Sequence, residues 1–386
     1  MKNTLLKLLI FNVFLMASVA SSYAQEELNS LDLAAFLIKN KNYSRANSVL
    51  SQIKDPHEVI PERFYALKGI LELKQKRYAE ALAAFDKAIE EGISENLELA
   101  PLVWESMGES YLGIKEYKKG IQLLQSKHSI LKDRVRYYQI KASLHFENRE
   151  PILGWDILHS GIKRFPQELS LMKQKWFYLM DQNLIEVSFE TAKKIMNDYQ
   201  ISALDLARMG QMYRNIQSMD KAIVLGEAAR LKDPSDEEIT KDLVRSYISL
   251  GNLTASAKLF TELSTYHPDY LVEASELWRK AGHEVMAKNL AMGIRNPVKK
   301  LKQSITLALM SEDFNTMVLL GEKGQRTALK EDQDIQYALA YANFMVGDYS
   351  TTQKYLSRIQ RADLFKKAMA LREAMNRCES EVALCF

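Results

Sequence analysis

Apolar residues recur along this chain at helical spacing, and the pattern itself repeats. A 34-residue frame slid from Pro101 to Tyr270 gives five units without insertion, and Pro166, Pro234 and Pro268 fall two periods and one period apart. The frame brings Trp104, Tyr138, Met172 and Leu206 into one column and Gly108, Ala142, Trp176 and Gly210 into a second. A third holds Tyr111, His145, Leu179, Tyr213 and Tyr247, and a fourth holds Gly120, Gly154, Ser188, Ala222 and Ser256, all of them small. Steps of three and four between the first three columns put them on one stripe of a first helix, the stripe that must be buried. One turn after the small column, Leu124, Leu158, Ala192, Gly226 and Phe260 mark a second helix whose backbone can approach the first closely. Each unit is therefore expected to be a helix hairpin that cannot cover its own apolar face and must stack on its neighbours.

The register continues on both sides with slips. Upstream, Tyr43, Ala46, Leu50 and Ile53 mark one second helix, and Tyr78, Ala81, Phe85 and Ala88 mark another after a first helix around Tyr65 and Gly69. Downstream, Ser275 to Pro297 reads as a shortened unit, followed by Phe314 to Gly321 and Tyr349 to Ile359. About ten hairpins are expected over residues 27–360, with a helix from Asp363 to Arg377 capping the array as a terminal repeat requires. Lys141 and Lys175 stand at large apolar positions and Trp176 at a small one, so packing should depart from the regular pattern there.

The run Trp104-x-x-Met107-Gly108-x-x-Tyr111, with Gly120 and Leu124 downstream, resembles the tetratricopeptide repeat. So does Leu206-x-x-Met209-Gly210-x-x-Tyr213 with Ala222, Ala229 and Pro234. Two of the five regular units fit that pattern closely and the others loosely. The resemblance implies an all-α fold, an α-solenoid wound as a right-handed superhelix, whose first helices line a concave wall that holds a protein or peptide partner. Carried onto this chain, the wall positions are Glu105, Glu109, Gln139, Ser143, Phe146, Lys173, Phe177, Gln211, Arg214, Lys241 and Arg245. Acids come first, then apolar and amide groups, then cations. That order suggests a polarised groove in which Lys173, Arg214, Lys241 and Arg245 grip carboxylates while Phe146 and Phe177 bury apolar groups. The column Glu109, Ser143, Phe177, Gln211, Arg245 lacks the asparagine of the family's carboxylate clamp, which argues against that version.

Bulk properties fit such an array. At 386 residues the chain exceeds the size at which one compact core stops growing. Its 15 Gly and 8 Pro are few for that length, which favours helices. A net charge of +3 is too balanced for a nucleic-acid footprint, so no nucleic acid is expected as partner. Lys2 and Lys7, an apolar run from Leu8 to Ala20 broken by Asn12, and Ser22-Tyr23-Ala24 read as an export signal cut after Ala24. The run falls short of the ~20 residues that span a bilayer. The mature chain is therefore expected to be periplasmic or secreted, without a transmembrane segment. The only cysteines are Cys378 and Cys385. An oxidising compartment favours their pairing, yet seven residues along a continuous helix separate them by ~10.5 Å, beyond disulfide reach. Either the tail bends to form a disulfide or the two thiols stay apart.

Candidate chemistry is sparse. The six histidines include no pair at helical metal-ligand spacing, and His145 falls in the aromatic packing column. Gly108-Glu109-Ser110-Tyr111-Leu112-Gly113 has one residue too many for a nucleophile elbow. No catalytic residue, metal or cofactor is expected. The chain reads as a non-catalytic exported scaffold for a protein or peptide partner within a cell-envelope assembly. The alternative is a non-catalytic subunit of polysaccharide export, which would show several exposed aromatic residues facing the groove.

Overall fold

The computed structural model describes residues 30–380, so the export signal, its cut after Ala24, and Cys385 lie outside the described residues. Every regular element among those described is helical. Contacts divide the chain after Tyr199 into two units. The first holds five hairpins: α1 (residues 30–39) with α2 (Tyr43–Gln52), α3 (Pro61–Lys74) with α4 (Tyr78–Glu90), and α5 (Ala100–Gly113) with α6 (Tyr117–Ser126). After the single turn α7 (His128–Leu131) come α8 (Val135–Glu147) with α9 (Pro151–Arg164) and α10 (Leu169–Asp181) with α11 (Ile185–Asp198). The second unit holds five more: α12 (Ala203–Asn215) with α13 (Met219–Lys232), α14 (Glu237–Ser249) with α15 (Leu253–Tyr266), and α16 (Leu271–Lys280) with α17 (Glu284–Met292). Then follow α18 (Pro297–Met310) with α19 (Phe314–Gly324), α20 (Gln333–Met345) with α21 (Tyr349–Leu356), and a last helix α22 (Ala362–Ser380).

One turn geometry closes all ten hairpins. The second residue past each first helix has positive φ: Lys41, Lys76, Lys115, Arg149, Asn183, Gln217, Gly251, Gly282, Glu312 and Gly347. Its N–H donates three residues back and the next N–H donates five back, as in Gln217 to Arg214 and Ser218 to Tyr213, both 2.9 Å. These are the paired bonds of a Schellman ending, which satisfies carbonyls that the finished helix leaves open. The next residue is the N-cap of the second helix, and there Asn42, Asn252, Asp313 and Asp348 accept the N–H three positions on.

Packing within a hairpin follows from two positions fixed by that turn, seven residues before it and nine after. Gly69 faces Phe85, and Gly108 faces Leu124. Trp176 is buried at the small position, and the matching position carries Ala192, also buried, instead of a large residue. In the sixth hairpin both are glycine, and a Cβ at Gly210 would lie 3.1 Å from the Ala222 carbonyl oxygen. The small column is buried throughout: Gly120, Gly154, Ser188, Ala222 and Ser256 lie inside, as do Ala46, Ala81, Ala287 and Thr352 at equivalent places. Hydroxyls in it reach across to the first helix, as Thr352 Oγ1 does to the Ala340 carbonyl at 3.3 Å.

The two odd lysines are accommodated differently. Lys141 is buried, donating from Nζ to Gln125 Oε1 and to the Tyr137 hydroxyl at 3.0 Å, with no carboxylate in reach. Burial pushes its ammonium below the usual lysine range. Lys175 is half-buried and is lowered in the same direction by burial and then by neighbouring Lys194.

At the C-terminal end Leu364, Ala368 and Leu371 of α22 join Leu339, Leu356 and Ile359 in one cluster, so α22 covers the last hairpin. Arg361 fixes its start by bonding the carboxylates of Asp334 and Asp363. Cys378 is buried on α22 and is disulfide-bonded.

Candidate functional site

In the first unit, most of the wall residues read from the sequence turn out to be structural. Glu105 is completely buried, and Arg134 donates from Nε and Nη2 to its two carboxylate oxygens at 2.8 and 2.9 Å. A carboxylate removed from water needs such a two-pronged cation, so Glu105 is a strut between α5 and the start of α8 and not an open ligand group. Glu109, half-buried one turn on, pairs with Arg136 through a single contact of Nη2 with Oε2. Gln174 Nε2 donates to the Gln139 backbone carbonyl at 2.9 Å and to Ser143 Oγ at 3.1 Å, and the Tyr178 hydroxyl donates to the same Oγ at 2.9 Å. Phe146 stacks on Tyr178 with centroids 3.8 Å apart and meets Trp155 edge-on at 5.1 Å, which corrects its placement on an open wall. Phe177 alone of the two phenylalanines is exposed, edge-on to Tyr178. Lys173 is half-buried on the same helix.

In the second unit the cations are already matched by acids. Arg214 and Arg245 both donate to Asp242 Oδ1, at 2.9 and 2.7 Å. Gln211, Arg214 and Asp242 line a cavity of about 10 Å³ beside Gly210 and Gly226, room for one water molecule. Lys241 donates to Glu238 at 2.9 Å and Glu237 at 3.3 Å while its ammonium lies 5.4 Å from the Tyr270 ring centre. The bond from the Tyr270 hydroxyl, then Lys241, holds the Glu237 carboxyl below the usual carboxylate range. His267 bridges in the same cluster: Nδ1 lies 3.2 Å from Glu237 Oε1 and Nε2 lies 2.9 Å from the Ser235 carbonyl oxygen. Arg214, Lys241 and Arg245 therefore do not form the uncompensated cationic row expected from the sequence.

An open apolar surface lies elsewhere. First helices α1, α3 and α5 enclose a trough of about 260 Å³ lined by Ala35, Ile38, Lys39, Arg63, Ala66, Leu67, Ile70, Leu99, Leu102 and Val103. Its walls carry no hydroxyl, amide or carboxylate side chain, and its only charges are Lys39 and Arg63. Ala35 and Ile70 stand six residues before their turns, the position that Glu109, Ser143 and Phe177 hold in later hairpins. The sequence signal was thus present, but turns at Lys41, Lys76 and Lys115 are 35 and 39 residues apart, off the 34-residue frame.

No protein-family model matches the chain, and no curated protein does. Solved structures do. The C-terminal part of a TPR repeat-containing protein from Cytophaga hutchinsonii is 14% identical, covering 61% of this chain and 97% of that one, with a TM-score of 0.41. Human IFIT1, as a dimer with PPP-AAAA, is 15% identical over 84% of this chain and 80% of that one, TM-score 0.34. A thermophilic TPR protein from Thermus thermophilus is 14% identical over 56% of this chain and 99% of that one, TM-score 0.28. No site feature is carried over from them. The ten helix hairpins, with their small and large columns, make this chain a tetratricopeptide-like helical repeat protein.

Proposed function

We propose that the chain is a non-catalytic, exported scaffold that holds a polypeptide partner on the first helices of its hairpins, within a cell-envelope assembly. The trough across α1, α3 and α5 carries this reading: it is an accessible apolar surface on the helices that face a ligand in such arrays, and nothing in the fold of the described residues fills it. Its apolar lining, without hydroxyl, amide or carboxylate side chains, suits apolar side chains of a polypeptide better than a sugar. Phe146 is committed to packing, so of the two wall phenylalanines read from the sequence only Phe177 is exposed. Export is supported by the basic, apolar and small-residue order of the first 24 residues and by Cys378 standing in a disulfide, a bond that persists in oxidising compartments. Among the described residues no helix is long and apolar enough to cross a membrane.

The test is site-specific photo-crosslinking in the producing cells, with a photoreactive residue at Leu102 in the trough or at exposed Glu190 on α11, followed by fractionation. Polypeptide adducts at Leu102 and not at Glu190, in the periplasmic or secreted fraction, are expected. Adducts at neither place, or chain retained in the cytoplasm, would defeat the reading.

A further inference from the structure

The trough also states what kind of segment it takes, an inference that rests on the scaffold reading above. Three packed helices at 8–10 Å spacing make it roughly 20 Å long, the reach of about six extended residues. Its floor is aliphatic, from Ile38, Leu67 and Val103, and half-buried Ile70 and Leu102 flank it. The two charges differ in availability. The Arg63 guanidinium is already bonded to Asp32, whereas Lys39 is exposed and has no ion pair among the described residues. An ammonium at the edge of an apolar surface whose other cation is already paired is complementary to one anionic group set beside apolar ones.

We propose that the trough binds an extended segment of a partner protein in which bulky aliphatic or aromatic side chains flank an Asp or Glu, the apolar groups lying on the α1, α3 and α5 floor and the carboxylate meeting Lys39. A chain-terminal carboxylate is the less apt source. A free terminus has no flanking residue on one side, so it would lay apolar groups on the floor on one side of Lys39 only.

The probes are fluorescein-labelled twelve-residue peptides, N-acetylated and C-amidated, in which Leu and Phe flank a central Glu. Each has a counterpart with Gln in place of Glu, and a third form with the Gln sequence and a free C-terminus. Binding to the full chain is read by anisotropy at low salt and at 0.5 M salt. The Glu peptides are expected to bind at least tenfold tighter than the Gln peptides at low salt, and Lys39→Glu, at an exposed site that leaves the fold intact, is expected to erase that difference. Leu102→Glu should abolish binding of both, with circular dichroism checking that its helices remain. Equal binding of Glu and Gln peptides, or indifference to Lys39→Glu, would overturn the acidic requirement while leaving the scaffold reading standing if Leu102 still crosslinks to polypeptide. Preference for the free C-terminus would assign the carboxylate to a chain end and overturn the proposal as stated. No peptide binding together with no crosslinking would remove both.

Discussion

The Gly69 backbone lies so close to the Phe85 ring that a Cβ on residue 69 would sit 2.5 Å from it. The fifth hairpin solves the same contact in reverse, with Trp176 at the glycine position and Ala192 at the phenylalanine position. Ala192→Leu alone should overpack the hairpin, costing about 1–3 kcal/mol, and Trp176→Ala alone should leave a cavity costing about 3–5 kcal/mol. Combined, they rebuild the Ala142 and Leu158 arrangement of the fourth hairpin. A double-mutant cycle by denaturant unfolding should therefore show a favourable coupling of at least about 1 kcal/mol. Strict additivity would mean that the two positions do not share a volume.

Seven of the ten hairpin turns hold a non-glycine residue at positive φ. Such residues strain against their own Cβ, so Gln217→Gly should stabilise the chain by up to about 1 kcal/mol. At Gly251 nothing lies within 4 Å of a would-be Cβ. Gly251→Ala should thus lose a similar amount from backbone strain alone, and the denaturation midpoints of the two variants should move in opposite directions.

Lys141 stands where Met107 and Met209 stand in other hairpins. Lys141→Met removes a buried cation that has no carboxylate and should leave the protein about 1 kcal/mol more stable near pH 7. The sign with pH follows from the lowered ammonium. A base whose charged form is disfavoured in the fold gains stability as pH rises from its folded value towards the unfolded value near 10.5. The wild-type chain should therefore close the gap on the variant between pH 7 and 10. Tyr137, pushed up to about 12 by burial, stays neutral in the fold over that range and is common to both proteins.

Asp363 is held down to about 2, first by its bond from Arg361. A carboxyl depressed in the fold stabilises above its unfolded value near 4 and loses that contribution as pH falls towards 2. The midpoint difference between wild type and Asp363→Asn should be constant from pH 7 to 5 and shrink below pH 4. A difference that persists unchanged at pH 2.5 would show that the pair does not anchor α22.

The columns that bury Trp104, Tyr138, Met172 and Leu206 could be read from the sequence because packing repeats with the chain. So could the shortened hairpin of α16 and α17 and the capping helix α22. The wall residues could not be read equally well, because periodicity tells which way a side chain points and not what it meets there. Glu105 and Arg134 lie 29 residues apart, and Asp242 receives both Arg214 and Arg245. Arg134 and Arg214 reach acids on a neighbouring helix and Arg245 reaches Asp242 three residues back on its own, so a list of cations in sequence order overstates the free charge. The turns were hidden for another reason: Lys, Arg, Asn, Gln and Glu at positive φ carry no glycine signal. They become visible only once the hydrogen bonds around Lys115 or Gln217 are known.

The turns within hairpins are all alike, whereas the links between hairpins differ: α4 reaches α5 through residues 91–99, and α13 reaches α14 through residues 233–236. Variation in repeat length is therefore concentrated outside the clamp that joins each pair of helices. The hairpin is accordingly the smallest piece that can be exchanged, duplicated or opened without loss. New chain ends placed between Glu91 and Leu99 would leave every clamp whole, while a cut at Lys115 would divide one and free the carbonyls it satisfies.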